Sequence, residues 1–268
     1  MKDPRGEVRL PDGTSALVAG AGPALVLLHG VGLDRRMWAA QVHGLARSHM
    51  VVTYDLMGHG KSPPVIGEAA LEDWTSQLER VRRALRIERF SLAGVSFGGM
   101  IAQDFALKYP ERLERLVLMS TVYDRSAAER AEVEARLKLA REETPAAIVA
   151  AALERWFSPG FAAGQPEIVQ EYSQLLQNND AESFLAAYGC FAAADAGLAG
   201  KLAAISCPTL VMTGELDTGS TPEMARKMAA IMGNAKLSIL PRGRHMMAVE
   251  MADEVNAVLR WFLAGGVS

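Results

Sequence analysis

The sequence predicts an α/β fold: a doubly wound, mostly parallel sheet with an all-helical cap inserted after the sixth strand. Three observations carry this. Short, compact aliphatic runs recur along the chain, as expected of strands buried on both faces of a parallel sheet. Segments with helical period lie between them, so strand and helix alternate. The alternation fails once, between Ser120 and Thr209, where only helical patterns occur.

In chain order, Glu7 to Ala19 reads as a β-hairpin around the turn residues Pro11-Asp12-Gly13, closed by Gly20-Ala21-Gly22-Pro23. Strands follow at Ala24 to Leu28, Met50 to Tyr54, Phe90 to Gly94, Leu116 to Ser120, Thr209 to Thr213 and Lys236 to Leu240. The clearest helix carries Leu71, Trp74, Leu78, Val81 and Leu85, whose spacings of three and four place them on one stripe, with Arg80, Arg82 and Arg83 toward solvent. Further helices are expected at Met37 to Arg47, Gly98 to Lys108, Pro222 to Met232 and Ala252 to Ala264. The interruption resolves into Ser126 to Glu143, Pro145 to Phe157, Pro166 to Asn178 and Ala181 to Ala193, separated by Pro, Gly and Asn signals. The expected division is a core of residues 1–122 and 200–268 and a helical cap of residues 123–199, covering the crevice at the carboxyl ends of the strands.

Composition narrows the function. The 268 residues are 50% hydrophobic and 22% charged, with a formal net charge of -3, which excludes disorder and a fibrous chain. Lys and Arg number 28 against 31 acidic residues without blocks of like charge, so neither nucleic acid nor an anionic membrane is an expected partner. The expected partner is a small-molecule substrate, and a homo-oligomer is compatible with exposed helices. No apolar run follows the opening Met1-Lys2-Asp3-Pro4-Arg5-Gly6, and none reaches the roughly 18 residues of a membrane helix. Cys190 and Cys207 stand far apart and read as packing residues, so a reducing cytoplasm is the expected location. No pair of the five histidines has metal-ligand helical spacing, and no metal or other cofactor is expected.

The chemistry is concentrated in Gly94-x-Ser96-x-Gly98-Gly99, directly between a buried strand and a helix. A serine on so sharp a turn is strained and presented at the crevice, and its neighbours must be small because strand and helix pass close by. A serine hydroxyl is a weak nucleophile at neutral pH and needs a base, itself oriented by an acid. In the chain order serine, acid, histidine, the base is His245, because the other four histidines precede Ser96. Asp217, in the loop after the strand Thr209 to Thr213, is the favoured acid, with Glu215 and Asp124 as alternatives. The glycines of His29-Gly30-Val31-Gly32 let backbone approach a ligand, so the amides of Val31 and Phe97 are the expected oxyanion donors. His29 reads as a brace for that loop, and Asp55-Leu56-Met57-Gly58-His59-Gly60-Lys61-Ser62 as a structural turn, since it lacks phosphate-loop spacing.

Together these motifs resemble the α/β-hydrolase superfamily along nearly the whole chain. More narrowly, His29-Gly-Val-Gly-Leu-Asp34, Met37-Trp38, Arg155-Trp156-Phe157 and Pro208-Thr-Leu-Val-Met-Thr-Gly look like the 3-oxoadipate enol-lactonase group and its relatives among esterases, amide hydrolases and carbon–carbon bond hydrolases. Two departures stand out: Leu56-Met57 where relatives usually have an arginine before the glycine, and Arg244 where they commonly have glycine. The resemblance implies a cofactor-free serine hydrolase acting on a small ester, enol-lactone or amide, such as a carboxylate-bearing intermediate of aromatic or heteroaromatic breakdown. A carbon–carbon bond hydrolase, a lyase or a perhydrolase with the same residues is the alternative, and a ligand receptor the more distant one. Trp38, Met119, Trp156, Phe157, Phe161, Tyr188 and Phe191 are the candidate pocket wall, and Arg125, Arg155 and Arg244 the candidate partners of a substrate carboxylate.

Overall fold

Runs buried on both faces become the middle of a sheet because nothing polar on them seeks water, and Ala24–Leu28, Phe90–Val95 and Thr209–Gly214 are buried at every residue. The structure, a computed structural model, describes residues 6–266. Its eight strands are β1 (Gly6–Arg9), β2 (Ser15–Ala19), β3 (Ala24–Leu28), β4 (Met50–Tyr54), β5 (Phe90–Val95), β6 (Leu113–Met119), β7 (Thr209–Gly214) and β8 (Ala235–Leu240). They form one sheet in the order β1-β2-β4-β3-β5-β6-β7-β8. The hairpin β1–β2 is antiparallel, as is β2 against β4, and every later pairing is parallel.

The helices of the core are α1 (Ala39–Leu45), α2 (Leu71–Ala84) and α3 (Phe97–Lys108). Between β6 and β7 come α4 (Ala127–Glu142), α5 (Val149–Trp156), α6 (Pro159–Gly164), α7 (Pro166–Gln177), α8 (Ala181–Ala193) and α9 (Asp195–Leu198). Helices α10 (Pro222–Ile231), α11 (Met247–Glu250) and α12 (Ala252–Leu263) complete the chain. Pleat alternation divides the sheet's side chains between two cores. Val26, Leu28, Leu92, Leu116 and Leu118 pack with Trp74, Leu78, Met100 and Phe105 from α2 and α3. Leu25, Leu27, Ala93, Val117 and Met119 pack with Leu45, Val255, Leu259 and Phe262 from α1 and α12.

Local signals set the helix starts. Ser126 and Glu129 form a reciprocal capping box on α4, Asp180 caps α8 and Thr221 caps α10, with Pro222 at the first position. The expected helix from Met37 is shorter and starts differently. Asp34 caps a 3-10 turn, Arg35–Trp38, and the α-helix begins only at Ala39. No helix among the described residues is long and apolar enough to cross a membrane.

Candidate active site

Ser96 sits between β5 and α3 with φ 54 and ψ -116, a backbone conformation that costs a serine about 1–3 kcal/mol and that its surroundings must hold. The end of β6 holds it. The Ser96 N–H donates to the carbonyls of Met119 (3.0 Å) and Ser120 (3.1 Å), and the Thr121 hydroxyl donates to the Ser96 carbonyl (2.7 Å). The glycines of the motif are required by close approach: a Cβ on Gly94 would overlap the Gly98 carbonyl, and one on Gly98 would meet the Leu28 and His29 carbonyls. Thr121 fills the space that Gly99 leaves. Ser96 is left partly exposed at the carboxyl edge of the sheet.

The acid and base meet because β7 and β8 are neighbours and the loops that leave them are bonded together. Glu215 N–H donates to the Leu240 carbonyl (2.9 Å), and Leu216 N–H to the Gly243 carbonyl (2.8 Å). His245 Nδ1–H then donates to Asp217 Oδ2 over 2.8 Å, while Asp217 Oδ1 accepts the N–H groups of Gly219 (3.0 Å) and Ser220 (2.9 Å). Burial alone would raise the Asp217 carboxyl; the His245 charge, the bond to its ring and the two amides outweigh that and hold it below the usual carboxylate range. Of the alternatives, Glu215 is exposed and accepts the Arg242 N–H, and Asp124 is exposed beyond β6. With Nδ1 committed to Asp217, Nε2 is the ring nitrogen free to accept a proton.

Val31 and Ser96 line one cleft. A Cβ on Gly30 would stand 3.2 Å from Ser96 Cβ, so the loop after β3 lies against the serine. Phe97 is the first residue of α3, and its N–H has no acceptor within the helix. His29 braces this loop: Nδ1–H donates to the Gly30 carbonyl (2.8 Å) and Nε2 accepts the Leu56 N–H (2.9 Å). Burial lowers its pKa to about 4, so the ring is neutral, as those two bonds require. The Asp55 turn is structural. Its carboxylate accepts the Arg35 guanidinium at 2.7 Å and the backbone N–H groups of Arg35 and Lys61.

The cleft opens to solvent between the sheet edge and helices α4, α5 and α8. Ser96, Asp217, His245 and Val31 lie along one side, and Arg155, Trp156, Tyr188 and Phe191 line it as expected. Other expectations need correction. Trp38 and Met119 are wholly buried and do not reach the cleft. The 3-10 turn sends Trp38 beneath the sheet, and the strand alternation of β6 points Met119 to the same side. Phe157 is buried, stacked on Phe161 at 5.2 Å and against Tyr172 at 5.4 Å, outside the cleft.

Among the arginines, Arg125 lines the cleft but is already paired. It donates to Asp195 (3.1 Å) and to the Phe191 and Ala192 carbonyls at the end of α8, and lies over the Phe191 ring. Arg244 is not among the residues that line the cleft and donates to the Glu154 carbonyl of α5. Arg155 lines the cleft and, among the described residues, is hydrogen-bonded only to the Ala151 carbonyl of its own helix (2.8 Å). Burial, and then the charge of Arg136, lower its pKa. Arg136 was not expected. It donates to the Tyr188 hydroxyl (3.2 Å) and is 3.9 Å from the exposed Glu132 carboxylate. Its signal was present, since with Val133, Leu137 and Ala140 it falls on the buried stripe of α4.

Among the described residues no three His, Cys, Asp or Glu side chains are grouped to hold a metal ion. What the site presents on one cleft is a strained serine, an imidazole held by a carboxylate, the guanidinium groups of Arg136 and Arg155, that of Arg125 paired with Asp195, and the carboxylates of Glu129 and Glu132.

The profile of the alpha/beta hydrolase family matches residues 25–258. The (E)-2-((N-methylformamido)methylene)succinate hydrolase of Acinetobacter baylyi is 30% identical over 253 residues, 91% of each chain. A 3-oxoadipate enol-lactonase of the same organism is 29% identical over 87% of this chain and 86% of its own. In three dimensions the chain is similar to the enol-lactonase from Burkholderia xenovorans, with a TM-score of 0.88 and 27% identity over 96% of this chain and 99% of that one. It is also similar to a malate-bound thermophilic esterase from Thermogutta terrifontis, with a TM-score of 0.85 and 28% identity over 97% and 98% of the two chains. The chain therefore belongs to the alpha/beta hydrolase family and is a hydrolytic enzyme.

Proposed function

We propose that the protein is a serine hydrolase that cleaves a small carboxylate-bearing ester, enol-lactone or amide without a cofactor. The observation that carries this reading is the 2.8 Å bond from His245 Nδ1 to Asp217 Oδ2 in a cleft that also holds the strained Ser96. His245 Nε2 takes the Ser96 proton as Oγ attacks the carbonyl, Asp217 steadies the imidazolium, and the amides of Val31 and Phe97 receive the oxyanion. His245 then protonates the leaving group and activates the water that releases the acyl group.

The substrate class follows from the arginines. Arg155 lines the cleft beside Arg136 and, among the described residues, is hydrogen-bonded only to the Ala151 carbonyl of its own helix, which leaves its guanidinium to pair with an anion even with the Glu129 and Glu132 carboxylates on the same cleft. Trp156, Tyr188 and Phe191 supply its apolar wall. The names of the relatives agree, one acting on a succinate derivative and one carrying malate.

The test is mass spectrometry after treatment with a fluorophosphonate, for wild type and Ser96→Ala, beside hydrolysis of a p-nitrophenyl acyl ester. One adduct on Ser96, with labelling lost and turnover reduced about 10⁶-fold in the variant, supports the reading. A wild-type protein that neither labels nor turns over the ester contradicts it.

A further inference from the structure

The base is held from two sides, and only one of them is the sheet. On the core side His245 has Asp217 and the backbone bonds of the acid loop. On the cap side, the residues before and after it are both fastened to the last turn of α5. The Arg244 guanidinium donates to the Glu154 carbonyl, and the Met246 N–H donates to the Trp156 carbonyl (3.1 Å). Both carbonyls belong to the end of a helix, where they lack donor partners within the helix and where a cation is favoured. Between these bonds the Trp156 indole stacks on the imidazole, 6.1 Å between centroids at 25°. Farther on, Ser158 N–H donates to the Glu250 carboxylate of α11 (3.0 Å).

We propose that Arg244 and Trp156 are positioning residues for the base, fastening the His245 loop to cap helix α5 so that the base and the cleft-facing Arg155 form one rigid unit. This rests on the serine-hydrolase reading above. Arg155 lies between the two fastened carbonyls, so the side chain assigned to the substrate anion and the ring assigned to its proton transfer share three consecutive residues of support.

Arg244 does not line the cleft, which separates its role from substrate binding. Arg244→Met keeps the apolar stem and deletes the donor, while Arg244→Lys restores a donor. In the methionine variant, kcat for the p-nitrophenyl ester and the rate of fluorophosphonate labelling at Ser96 are expected to fall about tenfold, in line with the sensitivity of catalysis to small misplacements. KM should stay within about twofold. The lysine variant should recover most of the loss, and amide hydrogen exchange at Met246 and the end of α5 should quicken together in the methionine variant only. Wild type labelled at Ser96 with Arg244→Met labelled and turning over equally fast would overturn the positioning role alone. Wild type left unlabelled would overturn the nucleophile reading and this one with it.

Discussion

At the scale of single residues, the carboxylate of Asp217 can be separated from its rivals by exchange of one atom. Asp217→Asn keeps the shape and the amide contacts but no longer enforces the tautomer in which Nε2 accepts, so kcat should fall about 10³- to 10⁴-fold with little change in fold. Asp124→Asn should leave kcat within about twofold, since that side chain is exposed and apart from the ring. Arg155→Gln tests the substrate class. Losing one charge-assisted contact of about 1.5–3 kcal/mol should raise KM about 10- to 100-fold for a carboxylate-bearing substrate, and leave KM for a neutral ester unchanged. Equal KM changes for both would remove the anion from the account. That Ser96, His245 and Asp217 would meet at one cleft was legible because each lies in a loop after a strand, where side-chain identity reflects chemistry more than packing. Trp38 and Met119 misled because apolar residues at strand ends are assigned to a wall or a core only by the facing direction, which is fixed by the 3-10 turn and by strand phase. Arg125 and Arg244 misled for another reason: their partners, Asp195 and the Glu154 carbonyl, are remote in sequence.

At the scale of elements, the elbow depends on β5, α3 and β6 approaching without side chains in between. Gly94→Ala would press a methyl group into the Gly98 carbonyl, a contact with backbone that cannot rotate away. The expected cost is at least the upper end of the about 1–3 kcal/mol typical of overpacking, read as a lower urea midpoint with unchanged slope. An unchanged midpoint would mean that the elbow can relax. All eight strands were legible, since aliphatic runs bounded by turn residues leave few other choices in an alternating pattern. The long helices were legible from their stripes and caps, as with the Ser126 to Glu129 box on α4. The short helices α6, α9 and α11 were not, because six residues or fewer complete too few turns to show a period. How α5 lies on the His245 loop could not be read at all. Its fastening runs through backbone carbonyls, which carry no sequence signature.

At the scale of the whole molecule, two buried imidazoles tie the stability of the fold to pH. His29 and His59 pack edge to face with centroids 5.2 Å apart, beneath the loop that carries Val31. Burial lowers His29 to about 4; burial, with the charge of His29 adding, lowers His59 to about 3. In the unfolded chain both return to about 6.5. Between those values the unfolded state binds protons that the folded state refuses, so stability is complete above about pH 6.5 and is lost as the pH falls toward 4 and then 3. Each proton contributes a slope of at most about 1.4 kcal/mol per pH unit, so unfolding free energy should drop about 2 kcal/mol per unit between pH 6 and 5. Asp217, held low, adds nothing in that window; its contribution is lost at lower pH, as the carboxylate protonates. The measurement is urea unfolding at half-unit steps from pH 7 to 5, with activity followed in parallel. In the folded protein His29 stays neutral until the pH nears about 4, so its bond to the Leu56 amide persists from pH 7 to 5, and protonation of this brace should not lower activity there while the unfolding free energy falls. Stability flat across that range would mean that the two rings accept protons inside the folded protein and do not brace the loop as neutral imidazoles.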